Sequence, residues 1–190
     1  MKVLIACEES QAVTKEFRKL GHEAYSCDTE PCSGGHPEWH IQKDAFVAID
    51  LMIWDIIIMH PPCTYTALCG NRWYWKSPLR LEGAKFCKDL WEKACKVCKC
   101  VVLEQPKTIM QRFIGPKTQA IHPHQFGHGE TKETWLWIKG LDDIVPTDEV
   151  DGRENRIWKM PPSKDRSKLR SKTYPGIAKA MAEQWGGVAI

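Results

Sequence analysis

No apolar run in the sequence approaches the roughly 18–20 residues that a membrane-spanning helix needs. The first ten residues, MKVLIACEES, hold too short an apolar stretch for a secretory signal and turn acidic at once. A cytoplasmic protein with no membrane partner is the expectation. A disulfide framework is also missing. Nine cysteines are present, but their odd count and irregular spacing point to free thiols in a reducing compartment. Metal patterns are weak: Cys95 and Cys98 form a CxxC without a second ligand pair, and His122, His124 and His128 follow no strong ligand spacing. No metal is expected, and the two cysteines read as core. Net charge is only +3, which makes no global electrostatic demand for nucleic acid. Repeats and long linkers are absent too, so residues 1–190 are expected to form one unit, long enough for a proper core.

What is present is an alternation of short apolar runs with helical patterns. KVLIA (2–6) reads as a strand. Val13, Phe17 and Leu20 then share a helical face, with Gly21 as a stop. EAYSC (23–27) is a second strand ending at Asp28. WDIIIM (54–59) is unbroken, as expected of a strand buried on both faces. A helix over about 79–99 comes next, then CVVL (100–103), then TWLWI (134–138). A last helix runs from Pro175 to Trp185, with Ile177, Met181 and Trp185 on one stripe and Pro at its favoured start. This order implies an α/β fold: a doubly wound, mostly parallel sheet with helices on both faces.

Such sheets bind ligands beyond the carboxyl ends of their strands. Polar and reactive residues cluster there. Cys7, Glu8, Ser10 and Gln11 follow the first strand, Asp28 ends the second, His60-Pro61-Pro62-Cys63 follows WDIIIM, and Glu104-Gln105-Pro106 follows CVVL. An acid at the end of a second strand suits ribose hydroxyls. A cysteine on a proline-stiffened turn has little freedom, and a lowered thiol pKa would make it a nucleophile. A glutamate on the neighbouring strand can exchange a proton beside it.

PPC at 61–63, EQP at 104–106, GHEAYSCD at 21–28, HIQKD at 40–44 and RSKTYPGIAKAMAEQWG at 170–186 together resemble the C5-cytosine methyltransferases, in their short phage and prophage versions. The resemblance runs along most of the chain. It implies a Rossmann-like fold that binds S-adenosylmethionine (SAM), with Cys7, Glu8, Ser10, Gln11, Asp28, Asp44 and Pro61 near the cofactor. Cys63, set by Pro62, would attack C6 of a cytosine, and Glu104 would stabilise the ring. The loop TYTALCGNRWYW (64–75) would close over the base, with Arg72 and Trp73 touching substrate. DNA, duplex or single-stranded, is the implied partner. RNA or a free pyrimidine nucleotide, and a non-catalytic decoy that binds SAM or nucleic acid, are the alternatives.

Several features depart from that pattern. The first loop, ACEESQ, lacks the glycines of Phe-x-Gly-x-Gly. Gln105 stands where the family has Asn. GETKETWLW (129–137) takes the place of Gln-x-Arg-x-Arg, leaving Lys132 as the candidate for the pyrimidine O2. Residues 140–170 read as loop and leave no room for a target-recognition domain, which implies loose sequence choice, a sequence-reading protein partner or a small substrate. The stretch 159–172 carries six basic residues against one acid. It reads either as a solvated loop or as a phosphate contact through Lys164, Arg166, Lys168 and Arg170.

Overall fold

Seven strands share one sheet in the computed structural model, which describes residues 1–163 and 166–187. They are β1 (Lys2–Ala6), β2 (Glu23–Asp28), β3 (His40–Gln42), β4 (Ile56–Met59), β5 (Cys100–Pro106), β6 (Gln119–Ile121) and β7 (Thr134–Lys139). The helices are α1 (Ala12–Lys19), α2 (Ala45–Asp50), α3 (Asn71–Tyr74), α4 (Pro78–Val97), α5 (Gln111–Ile114), α6 (Arg156–Lys159), α7 (Arg166–Ser171) and α8 (Pro175–Trp185). None of the described helices is long and apolar enough to cross a membrane.

The strand order is β3-β2-β1-β4-β5-β7-β6. The first five are parallel, and β7 runs antiparallel between β5 and β6. The chain winds outward from β1 to β3, then crosses back to lay β4 on the other side of β1. The order therefore reverses between β1 and β4, which is where a doubly wound sheet opens its ligand crevice.

Strand side chains alternate between faces, and the two cores show it. Val3, Ile5, Ile56, Ile58, Val102 and Leu136 pack with Val13 and Phe17 of α1 and with Ile177, Met181 and Trp185 of α8. Leu4, Ala6, Ile57, Met59, Val101 and Leu103 pack with Ala48 and Ile49 of α2 and with Ala84, Cys87, Leu90 and Ala94 of α4. Each central strand is thus apolar on both sides, as the unbroken IIIM run requires.

The helix ends explain their own positions. The first amides of α1 find their acceptor in Glu8, whose carboxylate takes Val13 N at 2.6 Å, Thr14 N at 3.3 Å and Thr14 Oγ1 at 2.7 Å. At the start of α8, a Cβ on Gly176 would lie 1.9 Å from the carbonyl oxygen of Phe126, so only glycine lets the helix dock. Its amide donates to His128 Nε2 at 2.9 Å. This gives the histidine loop a structural task.

Several expected boundaries shift. β4 begins at Ile56: the amide and side chain of Asp55 both bond Lys2, and Trp54 turns its indole onto the carbonyl of Ala48. Leu20 caps α1 and is half exposed, so it leaves the buried stripe. α4 ends at Val97, and Cys98, extended rather than helical, is buried at the cap with its thiol on the carbonyls of Trp54 and Cys100. β5 continues through Pro106 because β7 pairs with it as far as Pro106–Thr134. Glu104 and Gln105 are therefore strand residues. The short β3 and β6, and the helices within 140–170, carry too few apolar residues to show a period.

Phe17 is fully buried, so Phe17→Ala should cost about 3–5 kcal/mol in urea unfolding, whereas Ile53→Ser, at a position 87% exposed, should stay within about 0.5 kcal/mol.

Candidate active site

Parallel pairing places the ends of β1 and β4 beside the middle of β5, with Ala6 opposite Met59 and Met59 opposite Leu103. The next residues are Cys7, His60 and Glu104. The amide of His60 donates to the carbonyl of Ala6 at 2.9 Å, which holds the chain in line one residue past the strand. Pro61 is buried and Pro62 exposed. Gln105, on the α4 face of β5 and 1% exposed, then ties the turn down. Its amide nitrogen donates to the carbonyl of Pro61, and its Oε1 accepts from Thr66 Oγ1 at 3.0 Å. The carbonyl of Cys63 accepts from the amides of Thr66 at 3.2 Å and Ala67 at 2.9 Å. Thr108 Oγ1 and the amide of Ile109 close the knot on the carbonyl of Thr66 at 3.0 and 3.1 Å. The asparagine-to-glutamine departure thus supplies the side chain that spans from β5 to the Pro-Pro-Cys turn. Leaving those buried partners unpaired would cost about 1–3 kcal/mol.

Cys63 is half-buried, and its thiol is pushed up to about 11. Burial is the main cause, the negative charge of Glu104 adds to it, and Lys132 opposes both. Burial also acts to raise the carboxyl of Glu104. The hydrogen bond and charge of His60, with help from Lys132, outweigh it and hold the carboxyl below its ordinary range. His60 Nδ1 lies 3.2 Å from Glu104 Oε2. Lys132 stands just before β7; its ammonium donates to the carbonyl of Arg170 at 3.0 Å and lies 5.7 Å from the ring centre of Tyr174. Cys63, Glu104 and Lys132 therefore form one electrostatic group, although they come from three separate segments.

The first loop is bent without glycine. Cys7 and Gln11 both take left-handed backbone, with φ of 59° and 55°. Such residues cost about 1–3 kcal/mol each and persist where their surroundings fix them. Gln11 is fully buried and bonds Ser26 Oγ, the carbonyl of His36 and the amide of His36. The nearby glycine is Gly34: a Cβ there would come within 2.5–2.6 Å of Gln11 and of the Ser10 carbonyl. Asp28 ends β2, with Oδ1 accepting from the amide of Glu30 at 3.0 Å. Asp44 caps α2 by accepting from the amide of Phe46 at 2.8 Å. Both acids act on Cys7, whose thiol is raised first by burial and then by Asp28. The carboxylate of Glu8 is turned away onto α1, so only its backbone stays with the loop; the side chain of Gln11 is spent in the same way.

Arg72 and Trp73 lie on α3. Trp73 is 75% exposed, and the guanidinium of Arg72 lies 5.4 Å from its ring centre. The basic stretch comes to the site through α7: Lys168 Nζ is 3.5 Å from Glu9 Oε2, and the carbonyl of Arg170 holds Lys132. Lys164 lies outside the described residues. His60 was given no role by the sequence pattern. Its signal was its place, one residue past a central strand between two carboxylate-bearing neighbours. Among the described residues, no group of three His, Cys, Asp or Glu side chains is placed to hold a metal ion.

No family model and no curated protein matches the sequence. Solved structures with some likeness include an S. pombe Dnmt2 methyltransferase, 11% identical, covering 84% of this chain and 53% of that one, with a TM-score of 0.48. The bifunctional kinase-methyltransferase WbdD is 13% identical, covering 76% of this chain and 36% of that one, with a TM-score of 0.42. This chain spans about a third to a half of their length.

Alkylation of Cys63 in the ligand-free protein, followed by peptide mass spectrometry, should show a midpoint near pH 11. Glu104→Gln removes a neighbouring negative charge, which favours the thiolate, so the midpoint should move down.

Proposed function

We propose that the chain transfers a methyl group to C5 of cytosine in DNA through a covalent adduct with Cys63. The observation that carries this reading is the Pro-Pro-Cys turn pinned by Gln105 beside Glu104 and Lys132. Cys63 bonds C6 as the thiolate. Glu104 bonds N3 and the exocyclic amine, where negative charge develops. A pyrimidine bound against Glu104 neutralises part of the charge that raises the thiol, so nucleophile and substrate are coupled. Lys132 lies near enough to both groups to face the pyrimidine O2.

The residues at the strand ends fit S-adenosylmethionine in part. Asp28 stands where an acid takes ribose hydroxyls, and Asp44 and Pro61 flank the same crevice. Cys7 and Ser10 offer backbone from the bent first loop. The start of α1 offers no anion site, because the carboxylate of Glu8 already fills it. When bound, the cofactor supplies the methyl group. Everything else is done by the chain: it holds the base, sets the charge at N3 and directs the thiolate.

The exposed Trp73 and Trp75, with Arg72 and Lys76 beside them, suit a lid that stacks on bases and touches phosphate. Duplex DNA would have to flip its cytosine outward. Within residues 1–190, sequence choice falls to this lid, to α7 or to a protein partner.

Incubation with labelled SAM and a panel of duplex DNA, single-stranded DNA, RNA and dCMP, then nucleoside mass spectrometry, should yield 5-methylcytosine in DNA. Cys63→Ser should abolish it, and DNA carrying 5-fluorocytosine should trap the wild-type chain covalently. Product in RNA or dCMP alone would move the reading to those substrates. SAM binding without transfer to any of them would favour a binding protein.

If Lys168 and Arg170 touch phosphates, replacing both with Gln should weaken duplex binding at every sequence. The slope of log affinity against log salt should flatten by about 0.9 for each phosphate that is no longer neutralised. An unchanged slope returns α7 to a solvated surface.

A further inference from the structure

The imidazole of His60 is only 9% exposed and is bound on one side alone. Nδ1 faces Glu104 Oε2 at 3.2 Å, while Nε2 is sealed from solvent with no hydrogen-bond partner among the described residues. The sheet accounts for the position. β4 lies between β1 and β5, so the residue after Met59 falls between the first loop and Glu104. The groups that face it come from every neighbouring element. Glu8 from the first loop feels its charge, Glu104 bonds it from β5, and Lys132 from the segment before β7 acts on the far side of Glu104. A buried imidazole against a buried carboxylate is a proton-exchange pair.

We propose that His60 supplies the proton with which Glu104 meets the substrate ring, and so acts as a positioning residue for the reaction set out above, on which this inference rests. The relay returns its own proton. Cys63 first gives its thiol proton to water. As the sulfur bonds C6, electrons move toward N3. The proton on Nδ1 of the imidazolium crosses to Glu104 Oε2, and the carboxylic acid so formed donates to N3. The ring charge is neutralised, and His60 is left as neutral imidazole. Once C5 carries the methyl group, its hydrogen leaves as a proton to water and the C6–S bond breaks to give the thiolate. The proton on N3 returns through Glu104 to Nδ1, and the reaction as a whole releases the C5 proton. The same transfer takes negative charge off Glu104 while Cys63 must be a thiolate. One proton therefore serves both the ring and the nucleophile.

The test pairs kinetics with a measurement that needs no turnover. His60→Gln keeps a hydrogen-bond donor near Glu104 but carries no proton to pass on. Its single-turnover methyl transfer should be slower by about 10²-fold while its affinity for SAM and DNA is kept. In ligand-free protein with labelled histidine rings, NMR should find a proton on Nδ1 of His60 hydrogen-bonded to Glu104, and Glu104→Gln should shift that resonance. An unshifted resonance in Glu104→Gln, or a wild-type rate in His60→Gln, overturns the proposal. Failure of the parent reading looks different: no transfer by the wild type, while the Nδ1 resonance still shifts.

Discussion

The parallel pairing of β4 with β1 on one side and β5 on the other is the constraint on which the rest depends. It fixes Met59 between Ala6 and Leu103, so that β1 and β4 end beside Glu104 while β5 runs on against β7. Nothing in the local sequence of any one strand brings Cys7, His60 and Glu104 together. Alternation of side chains then sorts the residues beyond that level. Gln105 falls on the α4 face and clamps the Pro-Pro-Cys turn, while Glu104, one residue earlier, takes the opposite face and meets His60. A slip of one residue in β5 would exchange the two roles.

Burial and ionisation pull against each other across this cluster. Glu8, Cys63 and Glu104 are each penalised as charged groups by their burial. The fold answers differently in each case. Glu8 is given the charge of His60 and, at the start of α1, two amides and a hydroxyl, yet burial still holds its carboxyl above the ordinary range. Glu104 is given His60 and the field of Lys132, enough to keep it ionised. Cys63 is given Lys132 and a backbone hydrogen bond, too little to offset its burial, and so stays a thiol in the ligand-free chain. A thiol held protonated beside a charged carboxylate is protected from solvent chemistry, and in the proposed reaction its activation is linked to the arrival of a ring that accepts a proton.

The loops divide the labour in a similar way. Polar side chains of the first loop are largely consumed internally: Glu8 by α1 and Gln11 by the segment around His36, with Gly34 making room for the second contact. What this loop offers a ligand is backbone in an unusual conformation. The segment that carries Trp73 and Trp75 leaves its aromatic rings in solvent instead.

The sequence by itself determined the central elements and their order. The unbroken IIIM run, the apolar stripes of α1 and α8, and the Pro175 start were legible because burial imposes a period of two on strands and 3.6 on helices. The cluster of reactive residues at strand ends was legible for the same reason, since its place is set once the strands are placed. Only the tertiary structure decided what those residues do to one another. Gln105 read as a departure and is a clamp; Glu8 read as a loop contact and is a helix cap. Lys132 and α7 join the site across gaps of dozens of residues, and His60 had no pattern to mark it at all. Local periodicity records which face is buried. It holds no record of register between strands, and register sets which charges stand within a hydrogen bond of each other.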